Sequence, residues 1–571
     1  MPVSRSGVAA PPAGRRRTLA FASVAVLLAA ADTYVVVLAL PDMMLGVGLG
    51  IDELQRATPI ISAFLLGYVV TLPLIGRLAD LRGCRPVLIG CLLTFGLGCL
   101  ITAAATDLST LVIGRAVQGV GGGGLVPATL ALVAQSWPAE RRGLPLGVVG
   151  AVQETGATLG PLLGAAVLAV SGWRAIFWAN LIGAAVLGVG LALTPAGTTD
   201  GENPRPTSGR IASALGGLAV VALALFLLAP PSLVSGVTTG QAWVPWVDGH
   251  RWTAPLAVVA AALAAVALAL GGPRALGGLF REVDGPGALL LAGALAGLVL
   301  TFATADPQVS VVSPQAPGLL AGSALAAVGF VVRQRTARIR LIPAGTLQET
   351  AAWGALVVNL LVGAALVAAL VDVPVFARAT AQDDQLGAAL VLVRLLVAVP
   401  AGALLGGWAI RRRPAAEVAA AGLLLTALGL AGMTGWDDTT LTGLGGSAEL
   451  VAAGLGFGLA IAPVNAALLA STRAAVHGVA SALVVVARMI GMLTGLSVLT
   501  AVGLRVFYRE QDRIGTVLEV CPTTPTRCPA YTDATHAALL TELHTIFAGA
   551  AVCAAVAAAL ALLLLRPPRP R

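Results

Sequence analysis

Ala31-Asp32-Thr33-Tyr34-Val35-Val36-Val37 places a carboxylate in the middle of the first long apolar segment, residues 18–45. An ionised side chain at that depth in a bilayer costs about 2.5–3.5 kcal/mol on insertion scales. It therefore needs a cavity, a partner or a proton. The composition makes the bilayer the right reference. Of 571 residues, 57% are hydrophobic and 11% charged, where soluble domains carry roughly 25% charge. The apolar residues fall in runs of about 20, the length that crosses a hydrocarbon core of about 30 Å. Short alternating strands of the β-barrel type are absent from the sequence. The expected fold class is an all-α polytopic membrane protein.

The formal charge of +8 does not mark a nucleic-acid surface. The bases cluster at segment ends: Arg15, Arg16 and Arg17; Arg333, Arg335, Arg338 and Arg340; Arg411, Arg412 and Arg413. That is the pattern of the positive-inside rule. Residues 1–31 imitate a secretory signal, ending in Ala29-Ala30-Ala31, but the apolar run resumes after Asp32 and continues to Leu40. This length predicts an uncleaved first helix with its N-terminus in the cytoplasm.

Segments follow near 57–79, 86–106, 108–134, 144–170 and 175–195, then a polar linker from Thr198 to Arg210. Four more lie near 211–230, 253–271, 286–304 and 317–333. A second set of six lies near 350–372, 386–410, 415–435, 448–471, 475–508 and 540–566. About sixteen helices put both termini in the cytoplasm. The domains expected are a six-helix bundle over 1–197, a linker with extra central helices over 198–345, and a second six-helix bundle over 346–571. The second bundle has extended outer helices and a loop at about 509–535. Whether fourteen or sixteen helices span depends on the pair at 211–271.

The outer sixes repeat each other. Pro73, Gly76 and the run to Arg85-Pro86 are echoed by Pro400, Gly406, Gly407 and the run Arg411–Arg413 to Pro414. Gly119-Val-Gly121 before Pro127 is echoed by Gly454-Leu-Gly456 before Pro463, and Gly156 and Gly160 by Gly491 and Gly495. Three echoes in one order predict duplicated, pseudo-symmetric bundles, a transporter architecture with its substrate site near the midplane.

At these residues the chain resembles the major facilitator superfamily, in its drug:proton antiporter branch with extra central helices. Gly76-Arg77-Leu78-Ala79-Asp80-Leu81-Arg82-Gly83-Cys84-Arg85 is similar to the family's signature loop between helices two and three. Leu111, Arg115, Gln118 and Gly119 are similar to its helix-four motif. Gly156-x-x-x-Gly160-Pro161-x-x-Gly164 is similar to the antiporter motif on helix five, and Asp32 before Ala39-Leu40-Pro41 to the branch's helix-one motif. Asp32–Val37, Gln153-Glu154, Leu370–Phe376 and His477–Arg488 resemble the mycobacterial efflux pumps that work beside a lipid-binding lipoprotein. That resemblance implies export of triacylglycerol-type lipid from a bacterial inner membrane, with multidrug efflux as an accompanying activity. It also implies a periplasmic lipoprotein as partner and the proton gradient, rather than a cofactor, as energy source.

The charged residues inside the segments carry the expected chemistry. Asp32 is the proton candidate, against the alternative of a structural carboxylate satisfied locally. Aligning Gly156 with Gly491 puts Arg488 one residue from the position equivalent to Glu154. The two opposite charges therefore stand at matched depths in the two halves, where an ion pair would couple protonation to rocking. Arg115 is a relay candidate by the family resemblance, or else a clamp on carbonyls. Gly76, Asp80, Arg82, Gly83 and Arg85 form a gating motif in which Asp80 can cap a neighbouring helix N-terminus. Asp372 and Arg394 are candidate substrate-side charges, or partners of one another, with a solvated Asp372 as the plain alternative. Gly156, Gly160, Pro161 and Gly164 allow close helix contact.

Of six cysteines, Cys84, Cys91, Cys99 and Cys553 suit packing. Cys521 and Cys528 lie in an outer loop and are expected to be disulfide-bonded. No His/Cys spacing of the zinc type occurs. His250, His477, His536 and His544 form no cluster in sequence, which argues against an enzyme. The expected function is a proton-coupled secondary transporter moving a hydrophobic substrate outward by alternating access. Lipid is the leading substrate, amphiphilic cationic drugs the alternative, and a non-transporting membrane enzyme or receptor the reading from another class. Apolar, helix-favouring sequence from about Val476 to Arg513 and an early start of the last helix near Asp533 predict two helices projecting outside the bilayer.

Overall fold

The structure is a computed structural model. Its described residues are 13–49, 54–194, 207–229, 231–236, 238–247, 251–271, 282–303, 315–380, 385–522 and 528–566. Among them every regular element is helical. Each of the predicted apolar segments is a helix, as lipid requires of backbone that has no water to bond. The first six are α1 (Ala13–Gly46), α2 (Leu54–Arg82), α3 (Cys84–Ala103), α4 (Leu108–Ser136), α5 (Gly143–Val170) and α6 (Arg174–Leu193). The central four are α7 (Thr207–Leu228), α8 (Pro255–Gly271), α9 (Gly285–Ala303) and α10 (Ala316–Thr336). The last six are α11 (Thr350–Thr380), α12 (Gln385–Ala409), α13 (Ala415–Gly432), α14 (Leu444–Ala470), α15 (His477–Ile514) and α16 (Pro529–Leu564).

Among the described residues, eleven of these helices meet the length and apolarity needed to cross a membrane. Shorter apolar stretches lie in α7, α8 and α9. Boundaries differ from expectation at α7, α11 and α16. α7 takes in Thr207–Arg210, read from sequence as linker, while residues 198–206 of that linker lie outside the described residues. α11 runs to Thr380, eight residues past the expected end at 372. α16 starts at Pro529 rather than near Asp533, because proline suits a first helical turn, where its missing N–H has no partner to lose.

The helix pairings repeat one for one between the two sets of six. α1 packs on α5 as α11 packs on α15, α2 on α4 as α12 on α14, and α3 on α4 and α6 as α13 on α14 and α16. Each set closes its own apolar core, one around Phe95, Phe177 and Leu88, the other around Phe376, Phe457 and Phe547. Pro73 and Pro127 sit inside α2 and α4, and Pro400 and Pro463 inside α12 and α14. The two bundles meet along α5 against α12 and α2 against α15. The central helices form two hairpins. α7 packs on α8 at the edge of the first bundle, around Leu100, Ile101 and Phe226. α9, backed by α10, lies across the seam of α2 and α15, where Leu295 and Val299 meet Tyr68, Leu72 and Val486.

At 1.5 Å per residue, the 38 residues of α15 and the 36 of α16 run about 57 and 54 Å, well beyond a core of about 30 Å. Their far ends are joined through Cys521 and Cys528, which are disulfide-bonded with Cα atoms 5.9 Å apart. A short helix, Val517–Val520, begins on a Thr516/Glu519 capping box within the segment read from sequence as loop. Residues 523–527 between the cysteines lie outside the described residues.

Candidate functional site

Arginines collect where α2 meets α3, α4 meets α5 and α12 meets α13, and at the end of α10; this is the basic face of the molecule. The bundles touch there. Asp80, two residues from the end of α2, accepts from the backbone N–H of Gly478 at 2.7 Å and of Val479 at 3.0 Å. These are among the first N–H groups of α15, which have no partner within their own helix, and the carboxylate also faces the positive end of the helix dipole. Gly76, one turn earlier, lies so close to the Gly478 carbonyl that a Cβ would collide with it. Gly83 has φ +86°, a turn conformation strained for other residues. Arg85 donates to the carbonyls of Leu191 at 3.0 Å and Ala192 at 2.8 Å, at the C-terminal end of α6. Arg82 instead pairs with Glu282, just ahead of α9, at 2.8 Å. The signature loop thus holds three separate elements. On the other seam, Gly143 and Gly147 of α5 pack against the backbone of Gly407 and Ala403 in α12.

Deeper in the first bundle, Asp32 is 1% exposed and fully partnered. Arg115 Nη1 lies 3.0 Å from Asp32 Oδ2, and the Asn180 amide donates to Oδ1 at 2.6 Å. Arg115 also donates to Gln118 Oε1 at 2.6 Å and stacks on the Phe64 ring, 4.3 Å from its centroid. Burying a charge pair is favourable only when the remaining donors and acceptors are satisfied, and here Asn180, Gln118 and the Ile60 carbonyl do that. The antiporter motif forms the wall beside it: Gly156 and Gly160 meet the backbone of Leu27 and Ala31 in α1, and Gly164 meets Val35. The side chain of Pro161 is not among those described.

Glu154 and Arg488 lie between the bundles. Counted from Gly143 and His477, each is eleven residues into its helix (154 − 143 and 488 − 477), about 16 Å from the basic face. Arg488 Nη2 approaches Glu154 Oε1 to 2.8 Å, with the side chains 15% and 8% exposed. Both residues line a cavity with Thr33, Phe64, Tyr68 and Met489. Arg488 also lines a second, mostly apolar cavity whose polar members include Gln153, Asn359 and Asn465. The pair supplies the charge in a mostly apolar space.

Asp372 and Arg394 are not partners. Arg394 donates to the Leu441 carbonyl at 3.2 Å and to Ser447 Oγ at 2.9 Å, tying α12 to the start of α14. Asp372 is 6% exposed rather than solvated, because α11 runs on past it to Thr380 and α16 covers it. Neither residue lines the two cavities. The sequence reading named Gln118 only as part of a motif and overlooked Asn180, although a lone amide in the apolar run Arg174–Leu193 was a signal of its own. It also overlooked Glu282, whose role depends on a contact two hundred residues away in sequence. Among the described residues no group of three or more His, Cys, Asp and Glu could hold a metal.

Comparison with known proteins agrees with this architecture. A family model described as Major Facilitator Superfamily matches residues 22–332. A triacylglyceride transporter of Mycobacteroides abscessus is 34% identical over 518 residues, covering 89% of this chain and 86% of its own. One from Mycolicibacterium hassiacum is 36% identical over 517 residues, covering 89% and 82%. A probable triacylglyceride transporter of Mycobacterium leprae is 33% identical over 567 residues, covering 97% and 96%. Among solved structures, a proton:xylose symporter aligns over 95% of this chain and 94% of its own, with 14% identity and a TM-score of 0.48. The family model covers more than half of the residues and the relatives nearly all of them: the chain belongs to the Major Facilitator Superfamily.

Proposed function

We propose that the protein is a proton-driven exporter that carries lipid of the triacylglycerol type out of a bacterial inner membrane by alternating access. The observation that carries this reading is the Glu154–Arg488 pair across the bundle interface, at equal depth in both bundles and on the floor of an apolar cavity. A proton taken by Glu154 removes the ion-pair attraction between the bundles at that depth. The names of the mycobacterial relatives supply the substrate class. The basic face lies in the cytoplasm, by the positive-inside rule, with both termini on that side.

Within this reading Asp32 is the residue that exchanges protons with the outer side, and Arg115 is the cation it releases and recaptures. The Asp80 contact to α15 latches the cytoplasmic end. The long α15 and α16 project outward and shield acyl chains on the way to a lipid-binding lipoprotein, with Cys521–Cys528 holding their tips together.

Liposomes bearing the protein, a proton gradient, labelled triacylglycerol and a cationic dye test this. Lipid movement that needs both the gradient and Asp32, and is lost in Asp32→Asn, is the expected result. Dye movement alone makes the protein a drug antiporter. Lipid movement unaltered by collapsing the gradient overturns proton coupling.

A further inference from the structure

Asp32 pairs with Arg115 and Glu154 with Arg488. Two other buried carboxylates have no such partner among the described residues. Asp372 on α11 is 6% exposed and its Oδ2 has no hydrogen-bond partner, and Glu542 on α16 is 8% exposed. Among the described residues neither carboxylate takes part in an ion pair. Helix register brings them to one place. Leu360 faces Gly491 and Ala364 faces Gly495, so α11 and α15 run parallel in step. Carried eight residues further along each helix, that register matches position 372 to position 503. A Cβ on Gly503 would lie 3.1 Å from Glu542 Cγ. α11 and α16 pack on each other, and the two acids lie within electrostatic reach.

The surrounding titratable and charged groups are committed elsewhere. Arg394 is bound to Leu441 and Ser447. His544 Nε2 is 2.8 Å from the Trp436 carbonyl, and His536 Nε2 lies against the Ala379 carbonyl and 3.6 Å from Asp438. Arg378 and Arg505 are exposed. Phe376, one turn further along α11, packs with Trp436 and Phe547. A carboxylate buried without a cation is stable only when neutral, and two that share a site do not both ionise.

We propose that Asp372 and Glu542 are a second proton-binding site, housed in the C-terminal bundle and holding one proton. It differs in kind from Asp32, whose charge is balanced by Arg115. It does not depend on what is transported. In the reading of the protein as proton-driven, the two bundles each carry their own proton, so the ratio of protons to substrate can exceed one.

The test is equilibrium proton binding by the purified full-length protein in detergent, followed with a pH dye, together with infrared difference spectroscopy of the protonated carboxyl band. Asp32→Asn is expected to keep a protonated-carboxyl band. The double variant Asp372→Asn/Glu542→Gln, made in that background, is expected to remove it and lower the proton count by about one, while each single variant keeps it. Thermal scans of each variant show whether it is folded, and a mixture of the two single variants controls for general perturbation. A band and proton count unchanged by both substitutions overturn the proposal. So does suppression of the proton signal by saturating sodium or potassium, which would make the pair a metal-cation site. Neither outcome bears on lipid export, which the liposome assay reads separately.

Discussion

Two buried ion pairs in this molecule share one chemistry and differ in what they join. Asp32 and Arg115 both belong to the first bundle, with side chains 0% and 1% exposed, and Asn180, Gln118 and Phe64 complete the shell. Glu154 and Arg488 belong to different bundles, are less deeply buried, and border a cavity. A pair within one packed unit is part of that unit's core, and breaking it leaves an uncompensated charge in place. A pair across a movable interface can separate without unfolding either side. On the proposed reading, the same two charges stabilise a bundle in one place and one state of the transporter in the other.

The sharpest way to break the comparison is Arg115→Leu. It strands the Asp32 charge inside a packed bundle, and removing one partner of a buried pair costs about 3–5 kcal/mol. The expected outcome is a large drop in the unfolding midpoint in detergent, with Asp32→Asn in the same chain recovering much of it. Equal destabilisation from Arg488→Leu would remove the distinction between the two pairs.

A double-mutant cycle on Glu154→Gln and Arg488→Gln sharpens it from the other side. Unfolding midpoints are expected to move little, while gradient-driven transport is lost in each single variant. The coupling between the two substitutions is expected at about 0.5–3 kcal/mol when read from the balance of inward- and outward-facing states, for example by cysteine accessibility at the basic face.

The smallest effect belongs to Arg82–Glu282, both about half exposed. An exposed pair contributes roughly 0–1 kcal/mol and is screened by salt. Glu282→Gln is expected to leave folding unchanged and to shift transport modestly, by an amount that disappears at high salt. An effect that persists in high salt would show that the α9 hairpin is held to the signature loop by more than this contact.

Much of this was legible in the chain. Helix positions follow from apolar run length, because lipid leaves a spanning backbone few alternatives to the helix. The pairing of Glu154 with Arg488 followed from the internal repeat, since a duplication puts equivalent positions at equivalent depths. Asp80 was recognisable as a capping residue, but not which helix it would cap. Asn180, Glu282 and Glu542 were not assigned at all, because each acts through a residue more than a hundred positions away.

The Asp372 neighbourhood marks the boundary. Its carboxylate beside Pro374 suggested a solvated helix end, and only the continuation of α11 and the cover of α16 bury it. The sequence by itself determined the placement of the helices along the chain, their duplication and the depth of each charge along its own helix. These depend on hydrophobicity and on a rise of 1.5 Å per residue, which are local properties. Which charges meet, which bundle each contact belongs to and which carboxylates are left without a cation were decided only by tertiary structure. Rotation about each helix axis and the register between helices are set by side chains packing across the whole bundle.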